Sequence, residues 1–272
     1  METKVRRKGI LRWAGSKRGA LSTLVQLAPE EFDRYVEPFA GSAVMHFALG
    51  PESAFISDLN KPLANFYAWL KQDPDGLHKL ASQWDRTKET YLEKRASFDT
   101  DGCALIDAAL FYYLNNNCFN GIYRTNKSNK FNVPFGGKRM PNMPSLFEVR
   151  YFSAKLENAD FQCIDFREAI VMNLKPGNFF YIDPPYFVDD RRVFREYGPK
   201  YFSQRDLQDL SKLLHEIDAV GAKFMLSYAD CELARSVFEG WQSDHIMLTR
   251  NVGGFKKSRR KDSELVLRNY SH

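Results

Sequence analysis

The sequence is poor in cysteine. Its four cysteines, Cys103, Cys118, Cys163 and Cys231, lie far apart, and no Cys-x-x-Cys pair occurs. This spacing indicates neither a disulfide framework nor a zinc site, and it fits a reducing cytosol. No stretch is long and apolar enough to span a membrane. The first residues, Met1-Glu2-Thr3-Lys4, lack the apolar run of a signal peptide. Internal repeats and low-complexity tracts are also missing. Neither sign of charge dominates: a net charge of +5 permits a polyanionic partner without demanding one. The 272 residues suit one large domain, or a core with an insert.

What the sequence does have is strand and helix signals in alternation. Residues 34–39 read as a strand running into a tight turn at Ala40-Gly41-Ser42. A helical pattern over 44–49 ends at Gly50-Pro51, and 54–57 is a short apolar strand with Asp58 at its end. Asn60-Lys61-Pro62 reads as an N-cap with proline in the first helical turn, followed by Leu63, Phe66, Tyr67 and Leu70 at helical spacing. Such a β-α-β-α unit implies parallel strands with right-handed crossovers. From 71 to 153 the alternation stops. Helical stretches at 76–84 and 104–114 precede a long polar loop over 115–142, rich in Asn, Lys and Gly. This region reads as an insert between two halves of one sheet. Strand candidates return at 159–164, 179–182 and 223–228. Ser203 to Asp206 forms a capping box for a helix carrying Leu207, Leu210, Leu213, Leu214 and Ile217. A final pair, 245–250 and 264–270, is expected as an antiparallel hairpin at one sheet edge.

In doubly wound sheets ligands sit beyond the carboxyl ends of the strands, where the strand order reverses. Three features are expected there. The turn Phe39-Ala40-Gly41-Ser42-Ala43 carries small side chains that let backbone approach a ligand, although an ordinary β-to-α turn looks the same. Asp58 can accept from a ribose diol, or simply cap the next helix. The third feature is Asp183-Pro184-Pro185-Tyr186, which follows the apolar run Phe179-Phe180-Tyr181-Ile182. Proline has no N–H for a strand ladder, so the strand stops here. A carboxylate and a proline carbonyl form two rigid acceptors that match the two hydrogens of a primary amine, and the Tyr ring offers a stacking face. An exocyclic base amine is a poor nucleophile because its lone pair is delocalised. Two acceptors draw it toward tetrahedral geometry and free that pair.

These stretches, in this order, resemble the Dam-type, D12 class N6-adenine-specific DNA methyltransferase family over nearly the whole chain. The resemblance rests on Leu11-Arg12-Trp13-Ala14-Gly15-Ser16-Lys17, Glu37-Pro38-Phe39-Ala40-Gly41 and Ser57-Asp58-Leu59-Asn60. It continues through Tyr113-Leu114-Asn115, Phe119-Asn120-Gly121, Arg124, Phe131-Asn132-Val133-Pro134-Phe135-Gly136 and Asp183-Pro184-Pro185-Tyr186. It implies an α/β fold: a doubly wound Rossmann-like methyltransferase sheet with an antiparallel edge hairpin, plus an inserted, mainly helical DNA-recognition domain. The catalytic domain is expected from residues 1–70 and 154–272, and the recognition insert from 71–153.

The resemblance also implies S-adenosylmethionine as methyl donor, held by Trp13, Lys17, Asp58, Asp165 and Asp183, and the small-residue turn adds Phe39 and Gly41 as cofactor candidates. Catalysis is assigned to Asp183, Pro184 and Tyr186. From the residues alone, Trp13 equally reads as core and Lys17 as a surface lysine. The family usually has a second glycine in each small-residue turn, where this chain has Ser16 and Ala43. If those positions need positive φ, cofactor affinity falls.

The expected substrate is double-stranded DNA, with the target adenine flipped out of the helix. The resemblance places Arg12 and Arg124 at the DNA, with GATC as the leading site. Arg124 and Arg139 flank a glycine- and asparagine-rich loop suited to the major groove, with Asn120 and Pro134 as further DNA candidates, although basic loops also merely hold phosphates. Phe187 to Tyr201 reads as a loop that orders on DNA or as a solvated surface loop. The basic run Lys256 to Lys261 grips phosphates or is a charged turn. No metal is needed, because a sulfonium is already activated. A monomer in a bacterial nucleoid or a phage-infected cell is expected. The alternatives are an N4-cytosine DNA methyltransferase, which usually carries Ser in place of Asp183, and a catalytically silent DNA-binding module.

Overall fold

The computed structural model describes residues 9–187, 202–251 and 259–271. In chain order the first half of the sheet contains α1 (Leu21–Leu27), β1 (Tyr35–Glu37), α2 (Val44–Leu49), β2 (Ala54–Ser57) and α3 (Lys61–Gln72). The region between the halves holds α4 (Pro74–Ser82), α5 (Lys88–Ser97), α6 (Leu105–Asn117) and α7 (Leu146–Ala154). The second half supplies β3 (Ala159–Gln162), α8 (Phe166–Met172), β4 (Phe179–Ile182), α9 (Gln204–Ala219), β5 (Lys223–Ala229), α10 (Glu232–Val237), β6 (Gln242–Asn251) and β7 (Arg259–Arg268).

The seven strands lie in the order β3-β2-β1-β4-β5-β7-β6. The first five are parallel, with Tyr35 opposite Ala54 on one side and Phe179 on the other. β7 runs antiparallel between β5 and β6, so the expected edge hairpin is present. Every residue of β1, β2 and β4 is buried, because helices cover both faces of the sheet. Alternate side chains go to opposite faces. Tyr35, Phe179, Tyr181 and Met225 join one apolar cluster, and Val36, Phe180, Ile182, Phe224 and Leu226 join the other.

The caps read from the sequence are formed. Asn60 Oδ1 accepts from Leu63 N at 3.0 Å at the start of α3, with Pro62 in the first turn. Ser203 and Asp206 cap α9 reciprocally, at 3.2 Å and 2.7 Å. The basic run falls partly on residues 256–258, and the candidate DNA loop on 188–201, both outside the described residues.

The region 71–153 differs in detail from its expectation. α5 has no sequence counterpart in the helical stretches expected there. Half of its residues are charged and it buries only Tyr91, whose hydroxyl donates to the Val133 carbonyl at 2.8 Å. A single anchor gives no apolar periodicity to detect. The polar stretch 115–142 is also more ordered than a plain loop. α6 runs on to Asn117, short 3-10 turns form at Phe119–Gly121 and Gly137–Arg139, and isolated bridges pair Cys118 with Phe135 and Thr125 with Phe131. Phe111, Tyr112 and Tyr113 of α6 belong to the same apolar cluster as Tyr35.

Candidate active site

β1 lies between β2 and β4, so the connections leaving β1 and β4 diverge and leave a crevice at their carboxyl ends. β4 ends at Ile182 and delivers Asp183 into that crevice, with Pro184 buried behind it. Lys17, from the 3-10 turn Lys17–Gly19 near the N-terminus, meets it there. Its Nζ donates to Asp183 Oδ1 at 2.5 Å and to the Tyr186 hydroxyl at 3.2 Å. Tyr186 donates in turn to Glu264 Oε1 at 2.5 Å, and Lys17 Nζ lies 3.4 Å from the same carboxylate. Burial works against the charged form of Lys17, but Asp183, Tyr186 and Glu264 outweigh it and raise its pKa. Burial likewise raises the Tyr186 phenol. The Tyr186 ring packs edge-on against Tyr228 at 5.0 Å, and Tyr228 accepts from Phe187 N at 2.7 Å.

The small-residue turn forms the next wall. Of the two alternatives for Asp58 the structure shows the helix-side one: it accepts from Asn60 N at the head of α3, and it also accepts from Gly41 N in the turn, each at 2.9 Å. Burial raises its pKa despite those backbone donors. A carboxylate has about four lone-pair sites, so acceptor capacity remains. Gly41 has φ +46°, and a Cβ there would stand 2.8 Å from Trp13 Cδ1. Trp13 therefore lies directly against the turn, and it stacks on Tyr123 at 5.9 Å and 21°. The two missing glycines differ in consequence. Ser16 has φ −52°, where serine is unstrained. Ala43 has φ +47°, a left-handed conformation that costs an L-residue about 1–2 kcal/mol. Ser42 and Ser16 hydroxyls hydrogen-bond at 2.9 Å and tie the two turns together.

On the other side Phe39 stacks on Phe166 at 5.1 Å, and Phe202 closes against both rings at 5.9 Å. Asp165 caps α8, accepting from Arg167 N at 3.0 Å. The Arg167 guanidinium also bonds Asp165, Asp206 and Asp209, joining α8 to α9. The crevice thus offers flat rings, a backbone cradle at Gly41, carboxylates and one ammonium. That donor set suits a ligand with a planar base, a ribose and an amino-acid end, and so it fits S-adenosylmethionine. Among the described residues no group of three or more His, Cys, Asp or Glu side chains is placed to hold a metal ion.

The residues expected at the DNA gather around α6 and the turns that follow it. Arg12 exchanges two hydrogen bonds with the Asn115 side chain, at 2.9 Å and 2.7 Å, and its guanidinium donates to the Cys118 carbonyl at 3.2 Å. Burial lowers its pKa. It packs on Gly121, where a Cβ would lie 2.1 Å from Arg12 Cβ. Asn120 is exposed at φ +55°, and Pro134 is exposed while its carbonyl accepts from Phe119 N at 2.8 Å. Arg124 Nε donates to Asn132 Oδ1 at 2.8 Å. Arg139 lies in the 3-10 turn Gly137–Arg139.

Sequence reasoning missed Glu264, Tyr228 and Arg167. Glu264 lies 78 residues from Tyr186 in sequence, in an ordinary-looking strand, and no local spacing links the two.

The fold is a doubly wound, Rossmann-like sheet with a carboxylate and two prolines at its switch point, beside a glycine turn. The chain belongs to the D12 class N6 adenine-specific DNA methyltransferase family, which it matches over residues 13–251. It is 32% identical to the type II methyltransferase M1.LlaDCHI of Lactococcus lactis subsp. cremoris, over 100% of this chain and 98% of that one. It is 30% identical to the retron Ec67 DNA adenine methylase of Escherichia coli, over 94% of this chain and 90% of that one. It is 28% identical to a DNA adenine methylase of Vibrio cholerae, over 96% and 95%. The chain is an adenine-specific DNA methyltransferase with S-adenosylmethionine as methyl donor.

Proposed function

We propose that the chain methylates N6 of an adenine flipped out of a short duplex site, with GATC as the site. The observation that carries this reading is Asp183-Pro184-Pro185-Tyr186 at the end of β4, tied to Lys17 and adjoining the β1 turn. S-adenosylmethionine supplies a methyl group already activated by its sulfonium. Trp13, Lys17, Phe39, Gly41, Asp58, Asp165 and Asp183 hold it. The Asp183 carboxylate and the Pro184 carbonyl accept the two hydrogens of the adenine amine, which directs the nitrogen lone pair outward. A hydrogen bond to a charged acceptor contributes about 1.5–3 kcal/mol, or about ten- to hundredfold in rate if it forms fully only in the transition state. Tyr186 stacks on the flipped base, where stacking is worth roughly 1–3 kcal/mol.

Residues 71–153 act as the recognition insert. Arg124 reads a guanine edge, and Arg12, Asn120, Pro134 and Arg139 line the same face. The packing of Arg12 on Gly121 supports one continuous surface from the N-terminal motif to the insert. The bonds from Arg124 to Asn132 support a preset guanidinium, since a fixed fork loses less freedom on binding.

Methylation of random-sequence duplex DNA, followed by mapping of modified positions, tests the site. Modification confined to the adenine of GATC is the expected result. A different shared sequence would remove GATC and leave the reaction. A duplex with 2-aminopurine at the target position tests flipping: its fluorescence rises on binding if the base leaves the stack, and stays quenched if it does not.

A further inference from the structure

Glu264 is fully buried in β7, between Leu265 on one side and Ser263 on the other, in a strand that pairs through its backbone with both β5 and β6. Nothing in that pairing calls for a carboxylate. Burying one is costly unless it is paired and hydrogen-bonded, and apolar side chains occupy the next three positions of the strand, Leu265, Val266 and Leu267. Its described partners all lead to the crevice. The Tyr186 hydroxyl donates to Oε1 at 2.5 Å, the Lys17 ammonium stands 3.4 Å from the same oxygen, and the Ser227 hydroxyl lies 3.4 Å from Oε2.

The donors and acceptors form a consistent set. Tyr186 gives its one proton to Glu264 and receives one from Lys17 through an oxygen lone pair. Its hydroxyl is therefore engaged within the protein, and the ring is fixed at two places: at the hydroxyl by Glu264, and at its side by Tyr228. A ring so held presents one defined face. The same carboxylate helps to hold Lys17, which sets the position of Asp183.

We infer that Glu264 is a positioning residue for methyl transfer, acting through the Tyr186 hydroxyl to fix the ring against which the target base lies. This rests on the reading of Asp183 and Tyr186 given above. Glu264 does not touch the reacting atoms in this scheme. Its effect appears in the rate of transfer from the assembled complex, since holding reacting groups in register is worth rate rather than ground-state affinity.

A double-mutant cycle tests it. Single-turnover methyl transfer to duplex DNA is measured for Glu264→Gln, Tyr186→Phe and the double variant, with saturating S-adenosylmethionine and with its affinity measured separately. Each single variant is expected to lose about tenfold to a hundredfold in rate. Cofactor affinity should fall by less than the rate, because Lys17 keeps its bond to Asp183. The double variant should lose no more than the worse single one, because both substitutions act on one shared hydrogen bond: glutamine takes the charge from its acceptor and phenylalanine removes its donor. Losses that multiply in the double variant overturn the inference, as does a wild-type rate for Glu264→Gln. So does a loss confined to cofactor affinity. If Glu264→Gln does not fold, Glu264→Asp, which keeps the charge and draws it back from the Tyr186 hydroxyl, takes its place in the cycle: a tenfold or greater loss supports the inference, and a wild-type rate overturns it. Asp183→Ala in the same assay separates the two levels. Normal turnover there sinks the proposed site itself, whereas an inactive Asp183→Ala beside a multiplicative cycle removes only the role of Glu264.

Discussion

Lys17 and Asp183, 166 residues apart in sequence, meet with Nζ 2.5 Å from Oδ1 at the switch point of the sheet. Lys17 is 4% exposed and Asp183 18%. Removing the ammonium leaves two carboxylates, Asp183 and Glu264, facing one another without their counter-charge. Breaking a buried pair costs about 3–5 kcal/mol, and the partial exposure of Asp183 points to the lower end, about 3 kcal/mol. Lys17→Met is therefore expected to lower unfolding stability by about that amount and to abolish most methyl transfer. Denaturant unfolding checks the first half: a midpoint equal to wild type would contradict the pairing.

Gly41 offers a sharper probe of the proposed cofactor wall. At φ +46° an alanine is strained by about 1–2 kcal/mol, and its Cβ meets the Trp13 ring at 2.8 Å. Trp13 must shift, and with it the stack on Tyr123. Gly41→Ala is expected to weaken S-adenosylmethionine binding by at least about tenfold, a change of about 1.4 kcal/mol. Isothermal titration measures it, and unaltered affinity would take Gly41 and Trp13 out of the cofactor site.

The parallel strands and the acid-proline-proline turn were legible in the sequence because their causes are local. Proline ends β4, Asn60 and Ser203 announce helix starts, and apolar runs of four residues mark strands buried on both sides. The partners of the site residues were not legible. Trp13 looked equally like core, and it is in fact both packed on core aromatics and set against Gly41. Asp58 looked like either a cap or a ligand acceptor, and its two oxygens serve Asn60 and Gly41 separately. Glu264 and Arg167 gave no signal, because their meaning lies in contacts across the sheet and between helices. α5 was invisible because one buried tyrosine carries it.

Arg124 and the basic run Lys256 to Lys261 separate two uses of positive charge. If Arg124 reads a guanine, Arg124→Ala costs about 1–3 kcal/mol on the matched duplex and little on one altered at that base. If the run Lys256 to Lys261 holds phosphates, neutralising it weakens all duplexes alike and flattens the salt slope by roughly one unit per contact removed. Binding curves for both variants at several salt concentrations tell these apart. A uniform loss for Arg124→Ala would make it a phosphate contact.

His46 sets an acid limit. It is buried in α2, with Nε2 at 3.0 Å from the Lys155 carbonyl, and burial brings its pKa down to about 4. The folded state thus holds it neutral while the unfolded chain takes up a proton near pH 6.5. Its stabilising contribution is complete above about pH 6.5 and is lost as pH falls toward 4, by about 3 kcal/mol in total. His46→Gln removes that dependence, so the stability difference between wild type and variant should move by about this amount from pH 7 to pH 4. Parallel profiles would show that His46 is not held neutral.

The role proposed for Asp183 is to activate an adenine amine for methylation. Transfer of labelled methyl from S-adenosylmethionine to duplex DNA under single-turnover conditions, with the product nucleosides separated, tests it most directly. The wild-type protein should yield N6-methyladenine, and Asp183→Ala should be slower by at least about a hundredfold, from one charged hydrogen bond and the orientation it provides. Label in N4-methylcytosine, or near-normal turnover by Asp183→Ala, would contradict it.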